Sequence, residues 1–111
     1  MDNSKISNLE LKYLGGMVGS ALGDAIGELA FSHPEKELLL SRIDQLEELI
    51  YTDDTAMAIG LAESICKVKG VEQEHLGDTF RRNFEREPWR GYASGPPTIF
   101  SLVQRTGTPY T

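Results

Sequence analysis

An all-α fold is predicted by two features of this 111-residue chain. Apolar residues recur at helical spacing through most of it, and no stretch shows sustained period-two alternation. The expected architecture is a helical bundle around a central glycine-rich helix, with residues 1–111 forming one domain.

The first helix is expected over Leu9–Phe31, where Leu14, Val18, Ala21, Leu22, Ala25 and Leu29 share a face. A membrane span is argued against by Asp24 and Glu28, since a carboxylate at mid-bilayer costs about 2.5–3.5 kcal/mol. A second helix is expected to start at His33-Pro34, with proline at its first position, and to bury Leu39, Ile43, Leu46 and Ile50. The third is expected from Asp53 to Lys69, ending at Gly70. The fourth is expected from Glu72 to Glu87, with Leu76, Phe80 and Phe84 aligned and Pro88 ending it. Trp89–Pro97 reads as a loop, and Thr98–Arg105 as a last short helix.

Gly15, Gly19, Gly23 and Gly27 recur every fourth residue in the first helix, beside Gly16. Each gives up about 1 kcal/mol of helix propensity against alanine. The compensation expected is close approach of another backbone along that smooth stripe, either for packing alone or to serve a site. Asp24 would then point into or beside a crevice.

A net charge of −6 argues against a generic nucleic-acid surface, which needs to neutralise phosphates. The charge is uneven. Glu35–Asp54 is strongly acidic, whereas Arg81–Arg105 holds Arg81, Arg82, Arg86, Arg90 and Arg105 against Glu85 and Glu87. A cation suits the first region and a polyanion the second, against the simpler reading of solvated helix faces. Cys66 is the sole cysteine, so no internal disulfide forms, which fits a reducing, cytoplasmic compartment. The N-terminal residues lack a signal-peptide pattern.

The segment YTDDTAMA, residues 51–58, sets Asp53 and Asp54 side by side at the head of an apolar helix. Two readings stand. Thr52 or Asp53 is the N-cap, with the other acid favoured by the helix dipole by about 0.3–1 kcal/mol. Alternatively, a divalent cation binds there. Carboxylates about 5 Å apart repel by roughly 3 kcal/mol at an effective dielectric near 20, but by under about 1 kcal/mol in water. Partial burial would therefore call for a cation. Thr52, Asp53 and Asp54 offer hard oxygen ligands, suited to Mg²⁺ or Ca²⁺. Octahedral Mg²⁺ takes six, so the remainder must come from water, ligand or other protein groups.

The blocks GGMVGSALGDAIG, YTDDTAMAIGLAES and WRGYASGPP, in this order, resemble the ADP-ribosylglycohydrolase family, the all-α, magnesium-dependent group that includes the dinitrogenase reductase-activating glycohydrolases. The resemblance implies hydrolysis of a glycosidic bond to ADP-ribose or an ADP-ribosylated substrate. It implies Thr52, Asp53 and Asp54 as ligands of Mg²⁺, with two ions in a complete protein. It places ADP-ribose against Gly91, Tyr92, Ser94 and Gly95. Asp54 and Glu28 are the candidate catalytic acids. Many members carry a glutamate seven residues after the aspartate of the GDA motif; Phe31 stands there in this sequence, and Glu28 lies one turn earlier. A later acidic motif of the family would fall beyond Thr111, so the expectation is an N-terminal portion, incomplete as an enzyme and prone to self-association. The alternative is a non-catalytic helical module that binds ADP-ribose or a partner protein.

Among the remaining candidates, Cys66 is expected to be buried, His33 to begin a helix and His75 to lie on the surface. No Ser-His-Asp arrangement is readable. Trp89 is expected to pack where the fourth helix ends, or to stack on a base.

Overall fold

A computed structural model describes residues 7–110. Among them the chain is all-α, with five helices and no strand. They are α1 (Asn8–Ser32), α2 (Lys36–Gln45), α3 (Asp53–Val68), α4 (Gln73–Arg86) and α5 (Gly95–Thr106). The chain divides between Tyr51 and Thr52 into two compact units. None of the described helices is long and apolar enough to cross a membrane.

The first unit holds α1 and α2. Ser7 caps α1 by accepting from the Glu10 amide at 3.1 Å. His33 is not a helix-start residue; it closes α1, its amide donating to Leu29 O at 3.0 Å. Its Nδ1 lies 3.2 Å from the same carbonyl. α2 therefore begins two residues past Pro34, with Glu35 as N-cap. Leu46 leaves the helix in an extended conformation, so Leu46 and Ile50 do not continue the α2 face. Only Ala25 of α1 is fully buried, and Leu14, Val18 and Leu22 are exposed. The glycine stripe meets no close neighbour either: a methyl group at Gly15, Gly16, Gly19, Gly23 or Gly27 would have nothing within 4 Å. Within the first unit no backbone approaches the stripe as expected.

The second unit is built on an α3–α4 hairpin. The two helices run antiparallel, since Gly60 faces Phe80 while Ser64 faces His75. The buried face of α3 is Ala56, Gly60 and Ser64, every fourth residue and all small. This stripe lets α4 lie close: a methyl group at Gly60 would come within 2.8 Å of Phe80 Cδ1. Thr52 is the backbone N-cap of α3, and Lys69 ends the helix in the left-handed region, φ 63°, one residue before the glycine expected to do so. The Glu72 carboxylate caps α4 by accepting from the amides of Glu74 (3.1 Å) and His75 (2.9 Å). α5 starts three residues earlier than expected. Pro96 and Pro97 fall in its first turn, where the amide they lack has no intrahelical partner to lose. Phe100 of α5 is buried, its ring centroid 5.7 Å from that of Phe84.

The exposed and buried polar groups differ from expectation in three places. Cys66 is exposed on α3. Trp89 is 61% exposed, with the Arg90 guanidinium 4.1 Å above its ring in place of core packing. His75 is half-buried, its Nδ1 2.7 Å from Ser64 Oγ. Ser64 is only 1% exposed, and this contact satisfies its hydroxyl inside the hairpin. The carboxylates nearest in sequence are engaged elsewhere, Glu74 and Asp78 with Tyr110 and Glu72 in capping, so the pair is an interhelical tie rather than a hydrolytic triad.

Candidate functional site

The site is assembled in the second unit from the head of α3 and the loop between α4 and α5. Thr52 is extended, φ −110° and ψ −161°, and its carbonyl accepts the first α3 bond from Ala56 N at 3.1 Å. Its side chain makes no capping hydrogen bond. Instead Thr52 Oγ1 donates to Asp53 Oδ1 at 3.4 Å. That is long for a hydroxyl–carboxylate bond, whose ordinary range is about 2.5–3.0 Å. The hydroxyl is therefore turned toward the carboxylate and away from the helix amides, contrary to the side-chain-cap reading for Thr52.

Thr52 and Asp53 are half-buried and Asp54 is exposed. Only one of the two acids meets the premise of partial burial, so their repulsion is largely screened. The donor set nevertheless suits a hard cation. Two ligands about 2.0–2.1 Å from Mg²⁺ at adjacent octahedral corners stand about 3 Å apart; at Ca²⁺ distances the separation is about 3.3–3.7 Å. Thr52 Oγ1 and Asp53 Oδ1, hydrogen-bonded at 3.4 Å, are wider than the Mg²⁺ spacing and would close by about 0.4 Å on that ion. Among the described residues, no three His, Cys, Asp or Glu side chains gather as a metal cluster. The donors here are two carboxylates and a hydroxyl, leaving the remaining positions to water, ligand or other protein groups.

Gly91 brings the loop to this point. Its φ of +81° is a conformation that side chains disfavour, and a methyl group there would lie 3.8 Å from Thr52 Cβ. The preceding residue holds the turn. Arg90 N donates to Glu87 O at 3.3 Å, and Arg90 Nη2 closes on Glu87 Oε2 at 2.7 Å, with the Arg90 side chain only 11% exposed. Arg90 was not singled out as a site residue from the sequence. Its charge is indistinguishable there from the four other arginines of the basic stretch.

Tyr92 is half-buried, its ring set edge-on against Phe84 with centroids 5.0 Å apart. It anchors the loop to α4. Ser94 and Gly95 are exposed and belong to the start of α5, where Ser94 O accepts from Thr98 N (3.2 Å) and Thr98 Oγ1 (2.6 Å). The structure thus brings Thr52, Asp53 and Gly91 together. Asp54 is beside them on the first turn of α3. Glu28, exposed, and Asp24, half-buried, belong to α1 of the first unit, as does Phe31, which is 85% exposed.

The acidic head of α3 and the left-handed glycine loop against it make up the candidate site of this helical protein. Sequence comparison gives the family. The ADP-ribosylglycohydrolase family model matches residues 6–108, and the chain belongs to that family. It is similar to the human ADP-ribosylhydrolase ARH3, 29% identical over 106 residues that cover 83% of this chain and 29% of that protein. The corresponding protein of Xenopus tropicalis is 32% identical over 101 residues, covering 83% and 29%. That of Danio rerio is 29% identical over 109 residues, covering 89% and 28%. The chain thus spans under a third of the length of these curated relatives.

Proposed function

We propose that this chain contributes the metal-binding head of α3 and part of the substrate cleft to a magnesium-dependent ADP-ribosyl hydrolase. The observation that carries the reading is the gathering of hard oxygen donors, Thr52, Asp53 and Asp54, at the head of α3, with the Gly91 backbone against Thr52. Family membership and the likeness to ADP-ribosylhydrolases support the substrate class.

Thr52, Asp53 and Asp54 would hold Mg²⁺, which when bound supplies positive charge beside the anomeric carbon of ADP-ribose. The chain's own groups do the rest. Gly91, lacking a side chain, lets ligand oxygens reach the loop backbone. Tyr92 and the Arg90–Glu87 pair fix that loop in place. Asp54, exposed on the first turn, would take a proton from the water whose oxygen bonds to the anomeric carbon and pass it to the departing group as the glycosidic bond breaks. Glu28 is the second candidate acid.

A second reading, a non-catalytic module that binds ADP-ribose, is favoured by Phe31, an exposed phenyl group where the family resemblance implies a glutamate. Calorimetric titration of the chain with Mg²⁺ and then ADP-ribose, followed by an assay for released ADP-ribose, separates the two. The hydrolase reading expects metal binding that weakens about tenfold or more in Asp53→Asn and Asp54→Asn, with the fold retained. Binding of ADP-ribose with the same affinity in wild type and both variants, with or without Mg²⁺, would leave only the binding module.

A further inference from the structure

Ion pairing in α4 leaves two guanidinium groups unmatched. Arg81 reaches both oxygens of Glu85 at 3.1 Å and lies 3.8 Å from Asp78. Arg90 is closed on Glu87. Arg82 and Arg86 have only neutral partners among the described residues. Arg82 Nη2 donates to Thr79 Oγ1 at 3.3 Å, and Arg86 Nη2 donates to Asn83 Oδ1 at 2.6 Å.

Both partners are themselves held. Thr79 is buried, and its hydroxyl donates to His75 O at 2.7 Å. Asn83 Nδ2 donates across to Glu63 Oε1 of α3 at 3.1 Å. The two arginines therefore stand one helical turn apart on a fixed rail, along a groove of about 440 Å³ between α3 and α4. Two carboxylates border the groove. Glu85 is engaged by Arg81 and by Gln104 Nε2 at 3.2 Å. Glu63 contributes one opposing charge.

We infer that this groove is an anion site for a diphosphate-bearing ligand, separate from the cleft of Thr52 and Gly91. Two planar guanidinium forks present more donors than one carboxylate can accept, and they match the several oxygens and double charge of a diphosphate. Their side chains project from Cβ atoms about 5–6 Å apart, close enough to engage neighbouring phosphoryl groups of one ligand. In a chain of net charge −6 such a patch also selects where an anion approaches.

The test is calorimetric titration of the 111-residue chain with inorganic pyrophosphate, in the presence of a chelator so that the metal site does not contribute. The expected result is one-to-one binding that weakens with salt. It falls about tenfold or more in the double variant Arg82→Gln/Arg86→Gln and is retained in Asp53→Asn/Asp54→Asn. Glu63→Gln is expected to tighten binding, which keeps the inference testable if the double variant misfolds. ADP and a singly phosphorylated seryl peptide are compared as carriers, with ADP expected to bind about tenfold tighter. Equal binding by wild type and the arginine variant, equal binding of sulfate and pyrophosphate, or a peptide that matches ADP would each overturn the assignment. Loss of pyrophosphate binding only in the aspartate variant would place the ligand at the cleft and overturn it as well.

Discussion

Gly91 and Thr52 pack against each other: a methyl group on Gly91 would sit 3.8 Å from Thr52 Cβ, an ordinary contact. Space is therefore available for alanine, and backbone conformation is the obstacle. At φ +81° a side chain is strained by about 1–2 kcal/mol. Gly91→Ala is expected to lower stability by about that amount, or to move the loop away from Thr52 and weaken ADP-ribose binding. Denaturant unfolding and calorimetry on the same variant distinguish the two responses.

Two other glycines give opposite predictions. Gly60→Ala gains about 1 kcal/mol of helix propensity but drives its methyl group into Phe80, where overpacking costs about 1–3 kcal/mol. A net loss of about 1 kcal/mol is expected. Gly19→Ala meets open space and should stabilise α1 by up to about 1 kcal/mol. Thermal melts of the two variants should shift in opposite directions.

Lys69 is the sole described non-glycine residue with positive φ. Lys69→Gly removes the strain of the left-handed cap and is expected to raise stability by about 1 kcal/mol. Lys69→Val, with a β-branched side chain, should lower it. Urea midpoints for the pair provide the check.

Tyr110 has its phenol pKa raised above the ordinary value of 10.0, first by burial and further by its hydrogen bond to Asp78, with Arg81 opposing. The folded chain thus binds this proton more tightly than the unfolded one. The stabilisation is fully present below about pH 10 and is lost as pH rises through the folded-state value. Tyr110→Phe should therefore flatten the alkaline fall in stability, measured by melts at successive pH values.

Much of the helical order was legible because it depends on local periodicity. The α4 face of Leu76, Phe80 and Phe84 and the stop at Pro88 came through intact. A second small-residue ridge went unread. Glycines every fourth residue drew attention to α1, whereas the ridge that packs the second unit is Ala56, Gly60 and Ser64 in α3. Alanine and serine carry no propensity penalty large enough to flag that role. At the site, TDDT and Gly91 were legible as candidates, one through adjacent acids and the other through the family pattern. Burial was not: the expected apolar setting of Cys66 and the surface position of His75 were both reversed by how α3 and α4 face each other. The shift of α5 to Gly95 shows the same limit, since prolines read as loop residues also fit a first helical turn.

Tyr110 lies over Gly77 so closely that a methyl group at Gly77 would collide with Cγ and Cδ2 of its ring. Its amide also donates to Glu74 Oε1 at 2.9 Å, which holds it there. Residues 77 and 110 are consequently a matched pair: a side chain at the first requires the aromatic ring at the second to shift or to be lost.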